Sequence, residues 1–398
     1  MAVKTLQKIR DRLEQRPAEL EQARRNGAKV VGWSGYNVPE ELLYALGFIP
    51  VRIAAGGDDR LVEIGARYIS TRNCVYTREL LGLIEQNQDP YVRNVDAYVF
   101  DATCLQTYRV AELVEFYFKK NVFVLGVPRN FYWEEAKDYF VHEAEDFTKA
   151  LETEAGAPLD PAKLAAAVEL YDRIRANLKA VYAYQAVKDP LLSWEEAYDL
   201  IQAGYVLDRK EYLALLEETL AELKALQPEP VLEPDADEVR IFLSGSILPP
   251  GDRKLIHIIQ DLGGRIVGDD LWSGILPYLD VEIAENTVGA VALGYLNRTP
   301  HAALPYVVDT ETDKRLQKLH TLVGASKADG VVYHTLRYCD PFSFKAKETK
   351  DVLAETGIPL LEIHTEYAGS DYEAIRTRVE AYIEMLRNRN LFTREVQA

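Results

Sequence analysis

VDAYVFDATC (residues 95–104) and ADGVVYHTLRYC (residues 328–339) follow one plan: an aspartate, a short run of β-branched and aromatic residues, then a cysteine. Such a run reads as a buried strand, and similar runs recur along the chain between stretches with helical spacing. That alternation is the pattern of an α/β chain whose strands are mostly parallel. In open α/β sheets ligands lie just beyond the carboxyl ends of the strands. The echo therefore puts Cys104 and Cys339 at equivalent, ligand-facing places in two lobes.

Working outward, the first lobe has strand candidates at Lys29–Gly32, Ile49–Ile53, Val95–Asp101 and Val122–Gly126. Helical spacing covers Pro39–Leu46, closed by Gly47, then Cys74–Glu85 and Leu105–Lys119; proline near a helix start and glycine just past its end fit the usual asymmetry of helix termini. From Trp133 to Leu226 the pattern is helical, with Ala162–Tyr184 after Asp160, a capping box at Ser193 and Glu196, and Asp208–Leu226. The proline- and acid-rich stretch from Gln227 to Asp237 reads as a linker. Alternation then resumes: strands at Val239–Ser244, Arg265–Val267, Val331–Thr335 and Ile358–Ile363, and helices at Arg253–Leu262, Thr312–Gly324, Lys345–Thr356 and Tyr372–Arg387. The expected fold is α/β, two Rossmann-like open-sheet lobes with a helical segment between them. The expected boundaries are 1–132 for the N-terminal lobe with two cysteines, 133–237 for the helical segment and linker, and 238–398 for the C-terminal lobe with the third.

At 398 residues and 48% hydrophobic, the chain can bury a sizeable core. Its net charge of −17, with no block of Lys or Arg, argues against nucleic acid as a partner, because phosphate binding needs concentrated positive charge. The start, MAVKTLQKIRDRLEQRP, is charged and amphipathic rather than signal-like, and no run of about 18 apolar residues suggests a membrane span. A cytoplasmic protein is expected.

The three cysteines, Cys74, Cys104 and Cys339, are odd in number and widely spaced, which does not suit a disulfide framework. They are either buried fillers or a site. Thiolates are the soft ligands of iron–sulfur clusters and zinc, and three of them would leave one iron of a four-iron cluster without a cysteine. The six histidines show no zinc-type spacing and read as surface or core, with His334 the exception because it ends the strand leading to Cys339. A phosphate-binding P-loop and a G-x-S-x-G elbow are both missing. The turn Gly245 to Gly251 can meet an anion but reads first as a turn, and Asp269-Asp270 reads as a cap for the next element.

Longer stretches carry more. Val38-Pro-Glu-Glu-Leu-Leu-Tyr-Ala-Leu-Gly-Phe-Ile-Pro-Val-Arg52, the Asp269-Asp270-Leu segment to Gly274, Tyr295-Leu-Asn-Arg298 within 292–300, and Asp329-Gly-Val-Val through Tyr338-Cys-Asp-Pro341 to Leu386 occur in one order over nearly the whole chain. Together they resemble the 2-hydroxyacyl-CoA dehydratase component D family, which includes benzoyl-CoA reductase subunits and double-cubane cluster reductases.

The resemblance implies that Cys74, Cys104 and Cys339 hold one 4Fe-4S cluster per chain, or a bridged double cubane in a homodimer. It also implies a separate ATP-hydrolysing iron–sulfur activator, an acyl-CoA substrate, and a homologous partner subunit or a homodimer. The implied reaction is radical elimination of water from a 2-hydroxyacyl-CoA thioester through a ketyl. The alternatives are a benzoyl-CoA-reductase-type or double-cubane reductase subunit and a non-catalytic electron-relay subunit. Ser34 and Glu40 lie in the segment that faces the cluster in the family and are the catalytic candidates. Many relatives carry further cysteines where this chain has Tyr36-Asn37-Val38, Trp272 and Pro300-His301, which affects subgroup and substrate but not the three-cysteine set.

Overall fold

The structure, a computed structural model, describes residues 3–130, 132–234, 238–303 and 313–397, with side chains described to residue 391. The first lobe runs α1 (Lys4–Arg25), β1 (Val30–Ser34), α2 (Glu40–Ala45), β2 (Ile49–Arg52), α3 (Asp59–Gly65), α4 (Val75–Gln86), β3 (Ala97–Asp101), α5 (Leu105–Phe118) and β4 (Asn121–Leu125). Its strands form a parallel sheet in the order β2-β1-β3-β4. Parallel strands need crossover connections, and strands covered on both faces are apolar throughout. Accordingly β1 and β3 are wholly buried, whereas β4 at the edge is partly exposed.

Four helices come next: α6 (Glu134–Ala155), α7 (Pro161–Tyr182), α8 (Trp194–Gly204) and α9 (Arg209–Leu226). The starts of three of them are fixed by side chains that satisfy otherwise orphaned N–H groups. Asp160 caps α7 with Pro161 in its first turn, Ser193 and Glu196 form a full capping box on α8, and Asp208 caps α9.

The second lobe runs β5 (Val239–Gly245), α10 (Lys254–Asp261), β6 (Gly264–Asp269), α11 (Val288–Asn297), α12 (Lys314–Ala325), β7 (Gly330–Leu336), α13 (Asp340–Glu355), β8 (Leu360–Thr365) and α14 (Tyr372–Gln397). Its parallel sheet has the order β6-β5-β7-β8, the same relative order as the first. Hence β3 and β7, the strands of the sequence echo, hold equivalent positions.

The core explains where a site can form. One apolar cluster joins Trp33 and Val99 of the first sheet to Phe140, Ile174, Leu200 and Leu216 of the helical segment. A second joins Cys74, Tyr76 and Phe100 of the first lobe to Phe242, Tyr333 and Phe342 of the second. The cysteines thus sit where the lobes pack together.

The structure departs from the sequence expectations in three places that matter. α3 and α11 were not expected; α11 carries Gly289 and Gly294, which weaken a helical signal, and Gly294 is needed where the helix passes the backbone of Glu282. α13 starts at Asp340 instead of Lys345, because Pro341 is tolerated in a first turn, where its missing N–H costs nothing. Thr312 and residues 235–237 of the expected linker lie outside the described residues. Among the described residues no helix is long and apolar enough to cross a membrane.

Candidate functional site

Each of the three cysteines is a helix N-cap: Cys74 of α4, Cys104 of α5 and Cys339 of α13. Cys104 stands three residues past the end of β3 and Cys339 three past the end of β7, so equivalent strands deliver them. None of the three makes a side-chain capping bond. Their sulfurs are left to the site, beside helix ends whose free N–H groups and dipoles favour negative charge.

All three line one cavity between the lobes. Cys74 and Cys339 titrate as neighbours: beside Cys339 the pKa of Cys74 is lowered, and beside Cys74 that of Cys339 is held well up. Burial pushes Cys104 up, opposed by the backbone N–H groups of Gln106 and Thr107. Gln106 ties the arrangement across the lobes: its side chain accepts from the Cys74 N–H at 2.6 Å and donates to the Tyr338 carbonyl at 3.1 Å. Tyr338 itself takes a left-handed conformation, φ 63°, a costly one for a non-glycine residue, and this turns the chain into Cys339.

Five rings make up part of the remaining wall. Tyr36, Tyr76, Trp272, His301 and Phe342 line the cavity, and His301 meets Tyr36, Trp272 and Phe342 with ring centroids 5.0–5.7 Å apart. Burial, with Arg298 and Arg315 nearby, pushes the His301 pKa down to about 3, so the ring is neutral at ordinary pH. Its Nδ1 accepts from the Ala303 N–H at 3.0 Å, which leaves the proton on Nε2.

Among the described residues no group of three or more His, Cys, Asp or Glu side chains is gathered for a single metal ion. A cubane is different chemistry: each thiolate ligates a different iron, so the ligands surround a cage and not a point. Three thiols on one largely apolar cavity, at three positive helix ends, fit such an anionic cage.

The match to known proteins covers this whole arrangement. The model of the family "2-hydroxyglutaryl-CoA dehydratase, D-component" matches residues 35–386. The chain belongs to this family. It is 25% identical over 369 residues to the (R)-phenyllactyl-CoA dehydratase beta subunit of Clostridium sporogenes, covering 90% of this chain and 92% of that one. It is 24% identical over 362 residues to the C subunit of benzoyl-CoA reductase from Thauera aromatica, covering 90% and 91%. To the beta subunit of (R)-2-hydroxyglutaryl-CoA dehydratase from Acidaminococcus fermentans it is 23% identical over 370 residues, covering 90% and 93%. The resemblance read from the sequence is thereby confirmed at family level. Where many family members were expected to carry further cysteines, this chain presents Tyr36, Trp272 and His301, and all three line the cavity.

The other candidates fall elsewhere. Ser34 is buried at the end of β1, its hydroxyl 3.1 Å from that of Tyr76, so it touches the cavity wall from behind. Glu40 does not line the cysteine cavity; it lies in a neighbouring chamber, paired with Arg209 at 2.8 Å and accepting from the Tyr171 hydroxyl at 2.7 Å. His334 does not reach the cysteines either, contrary to the sequence reading. It is buried in β7 with Nε2 2.6 Å from the Thr365 hydroxyl, and His301 takes the place expected of it. Spacing alone does not single out His301; the resemblance marks its position as one where many relatives were expected to carry a cysteine, and the packing of the segment after α11 brings it to the cavity.

Asp269 and Asp270 separate in role. Asp269 accepts the Leu271 and Ile275 N–H groups and so closes the turn, as a cap should. Asp270 is 8% exposed, its Oδ1 has no partner among the described residues, and burial pushes its pKa up to about 7 against Ser244 and Arg315. A carboxyl that stays protonated in the folded chain but ionises in the unfolded one favours folding less as pH rises from about 4 to about 7. Relative to Asp270→Asn, the unaltered protein should lose up to about 1.4 kcal/mol per pH unit across that window. Urea denaturation of both at several pH values checks this; parallel pH profiles would rule it out.

Proposed function

We propose that this chain is the iron–sulfur subunit of an activator-dependent 2-hydroxyacyl-CoA dehydratase, with Cys74, Cys104 and Cys339 holding a 4Fe-4S cluster. The observation that carries the reading is the set of three N-capping cysteines around one inter-lobe cavity, in a chain of this family. A cluster there would supply single electrons at low potential, with one iron free of cysteine.

The reaction removes the hydroxyl from C2 and a hydrogen from C3 as water, leaving an enoyl thioester with no net oxidation. The chain's own part is to exclude water and to place polar groups. Tyr36, Tyr76, Trp272 and Phe342 make a wall that keeps solvent out. Neutral His301 holds a proton on Nε2, and the Tyr36 hydroxyl, pKa pushed up to about 12 by burial, stays protonated and donates to the Thr299 carbonyl at 2.7 Å.

The relatives are named as beta or C subunits, which supports a partner subunit here. Leu105, Tyr338 and Phe344, next to or near Cys104 and Cys339, are 67%, 40% and 80% exposed. An exposed apolar face beside the ligand cysteines supports docking of a partner or activator. A second reading, a benzoyl-CoA-reductase-type subunit, is supported by the likeness to the Thauera aromatica protein.

Anaerobic assay with a partner subunit and an ATP-hydrolysing activator tests the reading. Conversion of 2-hydroxyacyl-CoA thioesters to enoyl-CoA is the expected result. Reduction of an aromatic acyl-CoA without dehydration would favour the second reading, and no activity on either class would count against both.

A further inference from the structure

Arg52, the last residue of β2, is 5% exposed, yet none of its side-chain nitrogens has a hydrogen-bond or ion-pair partner among the described residues. A buried guanidinium without an acceptor is costly, and native proteins rarely leave one so. Its company is three ring faces: the guanidinium carbon lies 4.3 Å from the Tyr205 ring centre, 5.0 Å from that of Trp272 and 5.8 Å from that of Trp33. Such stacking compensates part of the lost hydration but leaves every N–H donor unused.

The position is as telling as the missing partner. With Tyr205, Arg52 lines both an open, largely apolar groove of about 430 Å³ and an inner chamber of about 50 Å³. The chamber in turn shares Gly35, Tyr36 and Trp272 with the cysteine cavity. Arg52 therefore stands on the wall between a surface groove and the way to the cysteines, at the carboxyl end of a strand, where open sheets bind ligands.

The chamber is cationic inside a chain of net charge −17. Arg52, Arg175, Arg209 and Arg298 line it against the single carboxylate of Glu40. Arg209 is matched by Glu40, Arg175 by Glu41, and Arg298 by the carbonyls of Pro277 and Tyr36. Of the four, and among the described residues, only Arg52 keeps every side-chain donor free.

We propose that Arg52 is the recognition residue of an oxyanion subsite, taking a carboxylate- or phosphate-sized group of the ligand that enters along the groove. The forked guanidinium matches either group with two parallel hydrogen bonds. The chamber has room for a group of that size and not for a nucleotide. Asp89, Glu196 and Asp199 line the groove with Arg10, so the groove itself offers polyphosphate little, and the anion is received at its inner end. This deepens the acyl-CoA reading and rests on it only for the identity of the natural ligand.

Trp33 and Trp272 beside the guanidinium give a built-in reporter. Propionate and inorganic phosphate are titrated separately into the full-length protein at constant ionic strength against chloride, following tryptophan emission and melting temperature. The parent protein should respond saturably to at least one anion. Arg52→Lys should weaken that binding by at least about tenfold, since it keeps the charge and loses the fork. Arg52→Met should abolish it while melting, without anion, no lower than the parent. A response to propionate alone assigns the subsite to a carboxylate, and one to phosphate alone assigns it to a phosphate. No saturable response in the parent, or an unchanged response in Arg52→Met, overturns the proposal. So does a parent insensitive to anions with an Arg52→Met variant that melts far lower, which would make Arg52 a structural plug. Iron measured on the same samples keeps the two ideas apart: an anion response without iron removes the cluster and spares the subsite, and iron without a response does the reverse.

Discussion

Cys74→Ser, Cys104→Ser and Cys339→Ser are each expected to abolish activator-dependent turnover while leaving a folded protein. A hydroxyl oxygen replaces the soft thiolate that iron requires, so one missing ligand of three is enough to release a cage. The sulfurs contribute little to stability by themselves. Cys104 and Cys339 are only partly covered, and Cys74, buried among apolar neighbours, should cost on the order of 1 kcal/mol on replacement. Loss of turnover with near-parental urea midpoints is the predicted pattern. Full turnover in any one variant would remove that cysteine from the ligand set.

The largest effect on stability is expected at Arg209, a residue far from the cysteines in sequence. Its guanidinium pairs with Glu40 and also donates to the carbonyls of Leu207, Pro50 and Tyr205, binding α9 to β2 and the end of α8. Burial disfavours charge on both partners; the pKa of Glu40 is pushed up by it, with Arg209 and Tyr171 opposing, and that of Arg209 is held up by Glu40 and Tyr171. Taking one ion from a buried pair strands the other, which costs about 3–5 kcal/mol. Arg209→Met should therefore lose about that much in urea denaturation, and Glu40→Gln combined with it should recover part of the loss because no charge is then stranded. A loss below about 1 kcal/mol would mean that the pair is not buried as described. If Glu40 acts only through this pair, Glu40→Gln alone should lower stability and leave the turnover of the folded protein near that of the parent; a large loss of turnover in a folded variant would support Glu40 as a catalytic residue.

The fold was readable where burial writes itself into local pattern. β1, β3, β5 and β7 are covered on both faces, so each is a largely apolar run, and the repeated strand-to-cysteine spacing reflects two sheets of one order. Cys104 and Cys339 could be picked out for that reason. Failure came where tertiary contact overrides sequence distance. His334 is close to Cys339 along the chain but bonds to Thr365 of the neighbouring strand, whereas His301, far away in sequence, lines the cavity. Gln106 looked like an ordinary helical residue, and its role emerges only from α5 meeting the Tyr338 segment of the other lobe. Arg52 closes one of the stretches that carry the resemblance, but nothing there marks its guanidinium as unpartnered, because that depends on its surroundings and not on its neighbours in sequence.

The central claim is tested most directly by iron and acid-labile sulfide per chain in the unaltered protein purified without oxygen. About four of each per chain is the predicted result. A folded, monodisperse protein with neither would contradict it, and would leave the three cysteines as residues of the lobe interface and nothing more.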